Sequence, residues 1–528
     1  MFIGDYLARR KLYSPKALAF VDSSKDPVLR LTFAQANDRA DRLANFLKRK
    51  GVGKGDRVAV LARDVVENLD LFFACGKLGA IHVALNWRLH WQETLDILVQ
   101  TTPKGLFFSN DFREAVLNIF NSQEGKNPAV EFFVHLDSPG VADSLCFNDL
   151  LASSDSSPVT CETLVEEDPA ALIFTGGTSG LPKGAMISHR MIAWNTLNTI
   201  VHDLHHGDVY LNVFPLFHTG GLFVYTLPLV ILGGTTVLLR QFEPQKALSL
   251  IEREKVTVLA AVPTMYQMLA QAPNWGSADL SSLRFCTSGG APLPVPVIET
   301  FVKEKGICFK QGFGMTEFGP GIFALAPADA IRKAGSIGRP NFFVDARIVG
   351  EKGELMPPDK VGELDLKGPS FCSGYYAAPE TTANMCDSEG WFHTGDLAKC
   401  DSEGYFFIVD RMKDMFISGG ENVYPVEIEN AIYQHPAVAQ CAVIGLPDPK
   451  WGEVGLACVV LKAGRKTSEE EILVFLQSRL ARFKIPRKVS FLTLLPTSSA
   501  GKILKRELRD RFTKNNDTSL SPPKNCQV

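Results

Sequence analysis

The chain lacks three features that would point to other protein classes: paired cysteines, a strong charge bias and a long uninterrupted apolar run. Its 11 cysteines form no C-x-x-C pair and no Cys/His cluster at zinc spacing, and the start lacks the apolar core of a signal peptide. We therefore expect a reduced, cytoplasmic protein. A formal net charge of −3 argues against a broad nucleic-acid surface. The most apolar stretch, Leu222 to Leu239, is interrupted by Pro228 and Gly233, which predicts buried helix, turn and strand rather than a membrane span.

Alternating helix and strand patterns occupy much of the chain. Apolar residues recur at helical spacing between Phe33 and Leu47, and Gly51 ends that pattern. The short apolar run Arg57–Ala62 then predicts a buried strand. Because the alternation repeats, it predicts parallel sheets covered by helices.

The pattern changes twice toward the C-terminus. From about residue 341, strand-like runs with Gly-rich turns indicate a β-rich subdomain. Farther on, helix and strand patterns mix, and Ser468 with Glu471 forms a capping box. We therefore predict an α/β protein with a large N-terminal domain, residues 1–411, made of parallel-sheet α/β subdomains and a β-rich subdomain at about 341–411. A small α+β C-terminal domain at 412–513 and a disordered polar tail at 514–528 are expected to follow.

A glycine-rich segment, FTGGTSGLPKGA, carries the strongest chemical signal. It follows an apolar run and consists of Thr175, Gly176, Gly177, Thr178, Ser179 and Gly180, with Lys183 three positions later. Glycines let backbone N–H groups approach a polyanion, and the hydroxyl and ammonium groups add donors, which suits nucleotide phosphates. The segment is not a Walker A loop. A flexible Gly/Ser connector is the alternative interpretation, although connectors rarely place Pro-Lys-Gly between an apolar strand and a helix.

This segment resembles the signature loop of the adenylate-forming superfamily, which includes acyl-CoA synthetases, adenylation domains of peptide synthetases and beetle luciferases. Further motifs occur in the family's order and extend the resemblance from Leu31 to Leu508. Gly176 and Ser179 stand where the family usually has Ser and Thr, and the first departure loses a hydroxyl. The resemblance implies an acyl-CoA synthetase of the fatty-acid–CoA ligase branch that uses ATP, Mg²⁺ and CoA as co-substrate.

The resemblance implies roles for residues in the middle of the chain. His218, in VFPLFHTGGL, would border the acyl pocket; an ordinary core histidine is the alternative. In QGFGMTEFG, Phe313 would stack on the adenine ring, although the family usually has Tyr there. Thr316 would hydrogen-bond the α-phosphate, and Glu317 with Thr178 would hold Mg²⁺. The other residues implied to line the nucleotide site are Gly290, Ala291, Gly312 and Gly314.

Toward the C-terminus, the resemblance implies a hinged, mobile domain. Asp396 and Arg411 would contact the ribose, and Asp410 replaces the glycine that usually precedes the arginine. Lys413 would be the hinge about which the small domain rotates between half-reactions. Lys502 would enter the active site during adenylation only, where a cation stabilises charge developing on the α-phosphate. The residues implied to face CoA are Ser418, Gly419, Gly420 and Trp451.

Together these features predict an enzyme that forms an acyl-adenylate and then an acyl-CoA. The acid is expected to be a medium- or long-chain fatty acid; an aryl or small branched acid, or a carrier protein loaded in trans, are alternatives. A luciferase-like oxygenase would share every motif up to the thiol step. The joint presence of Glu317, Asp396, Arg411 and Lys502 argues against a non-catalytic nucleotide-binding relative. Small-molecule partners are expected and nucleic acid is not, while peripheral membrane contact and a homodimer stay open.

Overall fold

The computed structural model describes residues 2–122, 130–137, 140–141, 143–175, 182–291, 293–412, 414–418, 421–477, 479–497 and 503–514. The chain divides into two compact units, Met1–Ala346 with Leu366–Phe392 and Arg347–Asp365 with His393–Val528. The domain boundary expected near residue 411 stays a prediction. Among the described helices, each is too short or too polar to cross a membrane.

Helices and strands alternate along most of the chain. The α-helices are α1 Ile3–Tyr13, α2 Phe33–Arg49, α3 Val66–Leu78, α4 Trp91–Thr101, α5 Arg113–Asn121, α6 Phe147–Ser153, α7 His189–Ile200, α8 Thr219–Phe223, α9 Thr226–Leu232, α10 Pro244–Glu254, α11 Pro263–Ala270, α12 Val295–Lys305, α13 Pro379–Ala383, α14 Pro425–Tyr433, α15 Glu469–Gln477 and α16 Lys505–Lys514. The strands are β1 Leu18–Asp22, β2 Leu29–Thr32, β3 Arg57–Leu61, β4 Ile81–Ala84, β5 Gly105–Phe108, β6 Phe132–His135, β7 Leu145–Cys146, β8 Pro169–Thr175, β9 Lys183–Ser188, β10 Val209–Asn212, β11 Thr235–Leu238, β12 Val258–Ala261, β13 Phe285–Ser288, β14 Phe309–Met315, β15 Gly319–Leu325, β16 Arg339–Pro340, β17 Asp345–Val349, β18 Gly362–Lys367, β19 Phe392–Cys400, β20 Phe406–Arg411, β21 Phe416–Ser418, β22 Glu421–Val423, β23 Val438–Asp448, β24 Gly452–Leu461 and β25 Lys488–Phe491.

Two large sheets form the framework of the first unit. One has the strand order β7-β6-β5-β3-β4-β8-β9, and the other has the order β16-β15-β14-β13-β12-β10-β11-β1-β2. Pairing is parallel through the middle of both sheets, for example β3 with β4 and β12 with β13, and antiparallel at β8/β9 and β14/β15. The predicted α/β class with parallel sheets is confirmed. The loops that follow parallel strands collect at the same sheet edge, where ligands of such folds bind.

Helix α2 illustrates why the sequence forms these elements. Its predicted stripe, from Phe33 to Leu47, is at most 1% exposed at Phe33, Ala40 and Leu47. Thr32 and Gln35 cap its N-terminus reciprocally. The apolar stretch after residue 219 forms α8, α9 and β11 as predicted, with Gly233 in the left-handed conformation between the last two.

The second unit contains two smaller sheets. One has the order β17-β18-β19-β20, and the other has the order β22-β21-β24-β23 with β25 parallel to β24. The core of the latter sheet includes Phe416, Val443, Val459 and Ile472, each at most 2% exposed. The predicted capping box is present, because the Glu471 N–H donates to Ser468 Oγ and the Ser468 N–H donates to Glu471.

Candidate active site

The two ends of the predicted phosphate loop are paired strands. Thr175 at the end of β8 lies opposite Lys183 at the start of β9, and the Thr175 hydroxyl donates to the Lys183 carbonyl at 3.4 Å. This antiparallel hairpin fixes where the intervening loop leaves and re-enters the sheet. The predicted phosphate-binding residues between them, Gly176, Gly177, Thr178, Ser179 and Gly180, lie outside the described residues.

Thr316 and Glu317 lie in a tight turn of the β14/β15 hairpin. Met315 pairs with Gly319, so three residues make the connection, and Thr316 is 7% exposed. A Cβ at Gly314 would lie 2.4 Å from the Pro320 Cα, so this position requires glycine for packing. The close hairpin therefore holds the Thr-Glu pair on rigid backbone.

Tyr375 connects Glu317 with the strand that carries Lys183. Its hydroxyl donates to Glu317 Oε1 at 2.6 Å, and the Lys183 Nζ lies 5.6 Å from the centre of its ring. Burial and the neighbouring carboxylate raise the pKa of Tyr375, so the phenol stays protonated and donates. Tyr375 was not predicted from the sequence, where it appears only as one of two adjacent tyrosines in SGYYAAPE.

The predicted adenine-side glycines come together at neighbouring strand ends. Because β13 and β14 are parallel, with Ser288 opposite Gln311, the residues after β13 lie beside Gly312. A Cβ at Gly289 would be 3.3 Å from the Gly312 carbonyl oxygen, and Gly290 has a φ of +83°. The Phe313 ring is half-buried and meets Phe323 edge-on, with ring centroids 5.8 Å apart.

His218 precedes α8 in a cluster of charged and aromatic groups. Burial and the nearby Arg88 cation lower the pKa of His218 to about 4, so the imidazole is neutral at pH 7. The Arg88 guanidinium lies 4.1 Å from the Trp87 ring centre and 5.7 Å from that of Phe217. The Asp64 carboxylate accepts a hydrogen bond from the Leu216 N–H at 2.7 Å. Neither Asp64 nor Arg88 was predicted from the sequence.

Asn195 on α7 joins the His218 and Glu317 segments. This residue is 1% exposed, and its Nδ2 donates to the Phe223 carbonyl at 2.8 Å. Its Oδ1 accepts from the Gly321 N–H at 3.0 Å. Since a Cβ at Gly319 would lie 2.7 Å from the same Oδ1, the glycines after Glu317 allow this close approach. Asn195 was also missed by sequence reasoning.

In the second unit, the structure brings together the two predicted ribose contacts. Asp396 on β19 lies opposite Arg411 on β20, and Arg411 Nε is 3.3 Å from Asp396 Oδ1. The preceding Asp410 is 2% exposed and accepts hydrogen bonds from the N–H groups of Val426 and Arg411. Asp410 thus satisfies a backbone donor at the start of α14, which gives its departure from the family pattern a structural role.

The residues predicted to face CoA are only partly described. Ser418 is buried at the end of β21, and Trp451 is 39% exposed, with the Lys450 Nζ 5.2 Å from its ring centre. Gly419, Gly420, the hinge residue Lys413 and the adenylation lysine Lys502 lie outside the described residues. Their assigned roles stay predictions.

Comparison with known proteins identifies the family. The sequence matches the AMP-binding enzyme family over residues 8–376 and the AMP-binding enzyme C-terminal domain over residues 427–502. The chain belongs to the AMP-binding enzymes. It is 42% identical to a feruloyl-CoA synthase of Amycolatopsis sp, over 97% of this chain and 99% of the relative. It is 37% identical to the long-chain-fatty-acid–CoA ligase FadD13 of Mycobacterium tuberculosis, over 97% and 98%.

A solved structure with an acyl-adenylate is also similar to this AMP-binding enzyme. The anthranilate CoA ligase AuaEII in complex with anthranoyl-AMP superposes with a TM-score of 0.90 at 28% identity, covering 98% of each chain. The chain is accordingly an AMP-forming acid–thiol ligase that uses ATP and CoA, as the sequence predicted. The comparisons leave the acid itself open, since their relatives act on aryl and on fatty acids.

Proposed function

We propose that this ligase activates an acid in which an aromatic ring lies close to the carboxylate, such as an arylpropenoate or an arylcarboxylate. The observation that carries the proposal is the 42% identity to a feruloyl-CoA synthase over nearly the whole chain, against 37% to a fatty-acid ligase. The proposal favours the aryl alternative over the fatty acid expected from the sequence.

The ligand of the similar anthranilate CoA ligase also supports an aryl substrate, because anthranoyl-AMP carries an aromatic ring directly on the acyl carbon. A fatty acid is the second candidate because the FadD13 match covers 97% of the chain.

In the first half-reaction, a carboxylate oxygen of the acid attacks the α-phosphorus of ATP, and the bond to pyrophosphate breaks. We propose that Thr316 donates to the α-phosphate and that Lys183 offsets charge on the outer phosphates. The Glu317 carboxylate and the Thr178 hydroxyl are the oxygen donors that Mg²⁺ prefers, so these residues would hold the ion. Mg²⁺ bound there would neutralise phosphate charge.

In the second half-reaction, the CoA thiolate attacks the acyl carbon and AMP leaves. Asp396 and Arg411, which pair across β19 and β20, are proposed to hold the ribose of AMP through both steps. His218 is neutral at pH 7, so its imidazole can donate or accept a hydrogen bond at the acyl carboxylate without adding charge.

A panel of acids tests the substrate class. Pyrophosphate release and CoA-dependent AMP release are measured with ferulate, cinnamate, benzoate, octanoate and palmitate, each with a control lacking CoA. We expect kcat/KM for at least one aryl acid to exceed that for both fatty acids by about tenfold or more, a difference of about 1.4 kcal/mol in the activation free energy. A preference for octanoate or palmitate would contradict the proposal and favour the second candidate.

The half-reaction assigned to Lys502 has its own test. We expect Lys502→Ala to lower acyl-adenylate formation by at least about a hundredfold, because a preorganised cation near the α-phosphate is lost. Thioester formation from supplied acyl-AMP should stay near the wild-type rate. Lys466→Ala, at an exposed lysine of the same unit, is the matched control. Equal loss in both half-reactions would overturn the role of Lys502.

A further inference from the structure

Tyr375 lies between two side chains that the proposed function assigns to different parts of the nucleotide. We propose that Tyr375 is a positioning residue of the adenylation site, which fixes the Glu317 carboxylate through its hydroxyl and the Lys183 ammonium through its ring. The inference rests on the proposed roles of Glu317 and Lys183 in binding ATP with its divalent cation.

The hydroxyl contact is short and directed. The Tyr375 oxygen lies 2.6 Å from Glu317 Oε1, and a carboxylate can only accept, so the phenol donates. A hydrogen bond of this kind restricts rotation of the Glu317 side chain and aims its second oxygen. A carboxylate held in one orientation binds a cation with less loss of side-chain entropy than a free one.

The ring contact concerns the phosphate-binding cation. Lys183 Nζ lies 5.6 Å from the ring centre, within the range of a cation–π interaction. Lys183 is the first residue of β9, directly after the predicted phosphate loop. The same aromatic side chain therefore orients a carboxylate with its polar end and an ammonium with its face.

The backbone of Tyr375 is fixed from two sides. It forms an antiparallel bridge with Ala185, and the neighbouring Tyr376 N–H donates to the Gly184 carbonyl at 2.8 Å. On the other side, the Cys372 N–H donates to the Glu317 carbonyl, also at 2.8 Å. The short segment from Cys372 to Tyr376 thus ties the Glu317 turn to β9 by main-chain bonds, which gives the side chain a rigid base.

The surroundings of Tyr375 differ from those of a core aromatic. Its side chain is half-buried and borders a depression of about 520 Å³, which is lined by Met186, Tyr375, Ala377, Ala378, Pro379, Thr382 and Ala383. By contrast, the next residue, Tyr376, packs against the hydrophobic core around β3, β4 and β5. This difference makes Tyr376→Phe a matched control for Tyr375→Phe.

The experiment measures ATP binding by calorimetry with excess Mg²⁺ and again with EDTA, in the absence of any acid. We expect Tyr375→Phe to raise the Kd for ATP about tenfold with Mg²⁺ and less than about twofold with EDTA, because the ring remains and only the bond to Glu317 is lost. Tyr375→Leu should weaken binding under both conditions, since Lys183 also loses its ring. Tyr376→Phe should leave both constants unchanged.

A double-mutant cycle identifies the partner. If Tyr375 acts through Glu317, Tyr375→Phe on a Glu317→Gln background should cause no further loss of Mg²⁺-dependent binding. Additive losses in the cycle would overturn the inference, and so would a Tyr375→Phe variant whose ATP binding is weakened equally with Mg²⁺ and with EDTA. ATP binding needs no acid, so a wild-type enzyme that binds ATP but fails to activate aryl acids would refute the proposed substrate class and leave this result intact.

Discussion

Replacing Asp64 tests how a buried carboxylate supports the segment before His218. Asp64 is 5% exposed, and its Oδ1 accepts from the Leu216 N–H at 2.7 Å. Alanine removes that acceptor and leaves a buried N–H group, which costs about 1–3 kcal/mol, whereas asparagine keeps an acceptor oxygen. At pH 4, where little of the proton linkage described below has developed, we expect Asp64→Ala to lower the free energy of unfolding by about 2 kcal/mol and Asp64→Asn by less than about 1 kcal/mol.

The effect of Asp64 on stability should also depend on pH. Burial raises the pKa of Asp64 from 3.8 to about 7, although the Leu216 N–H, Arg88 and Arg63 oppose the rise. Tyr210 also faces this carboxylate and is neutral over the range. Between pH 4 and 7 the folded state keeps a proton that the unfolded state has released, so wild-type stability falls as pH rises.

The change in unfolding free energy that Asp64 causes between low and high pH can be calculated and measured. The difference between 3.8 and about 7, at about 1.36 kcal/mol per pH unit, gives about 4 kcal/mol. Asparagine carries no titrating proton, so Asp64→Asn should gain stability relative to wild type by up to about 4 kcal/mol from pH 4 to pH 8.

Urea unfolding followed by tryptophan fluorescence would measure this pH-dependent change in stability. The fluorescence reports on the first unit, which contains Trp87, Trp91, Trp194, Trp275 and Trp391. Asp345→Asn, at an exposed position of the same unit, is the control. A gap between Asp64→Asn and wild type that stays constant or reverses as pH rises would refute the reasoning.

Two further substitutions test other contacts. Arg88→Gln should raise the pKa of His218 from about 4, because the Arg88 charge that helps to lower this pKa is removed. NMR titration of the imidazole should then find the midpoint at higher pH, and an unchanged midpoint would contradict the assignment. Asp410→Gly should destabilise the second unit by about 1–2 kcal/mol, because the Val426 N–H at the start of α14 loses its acceptor. Asp410→Asn keeps one of the two acceptor oxygens, which serve the N–H groups of Arg411 and Val426, and should lose less stability in thermal unfolding. Equal loss in both variants would count against the cap.

Short-range features were predictable from the sequence because their physical cause lies within a few residues. The buried stripe of α2 follows from the helical period, and the box between Ser468 and Glu471 follows from N-cap chemistry. The glycines at 290, 312 and 314 were recognised from their motifs, and the structure adds the reason at Gly314, where a Cβ would meet Pro320.

Long-range contacts could not be read from the sequence. The bond from Tyr375 to Glu317 spans 58 residues, the bond from Asn195 to Gly321 spans 126, and the bond from Asp64 to Leu216 spans 152. No periodicity or motif relates such positions, because local patterns encode which face of an element is buried and carry no information on its distant neighbour.

The sequence by itself determined the α/β class, the ordered motifs and the acid–thiol ligase family of this chain, because strand, helix and glycine patterns are local. The tertiary structure decided which side chains support those motifs. Two sheets bring distant loops to neighbouring strand ends, and there Tyr375 meets Glu317 and Asp64 meets the segment before His218. Strand order and register determine which side chains meet, and both form only when the whole chain has folded.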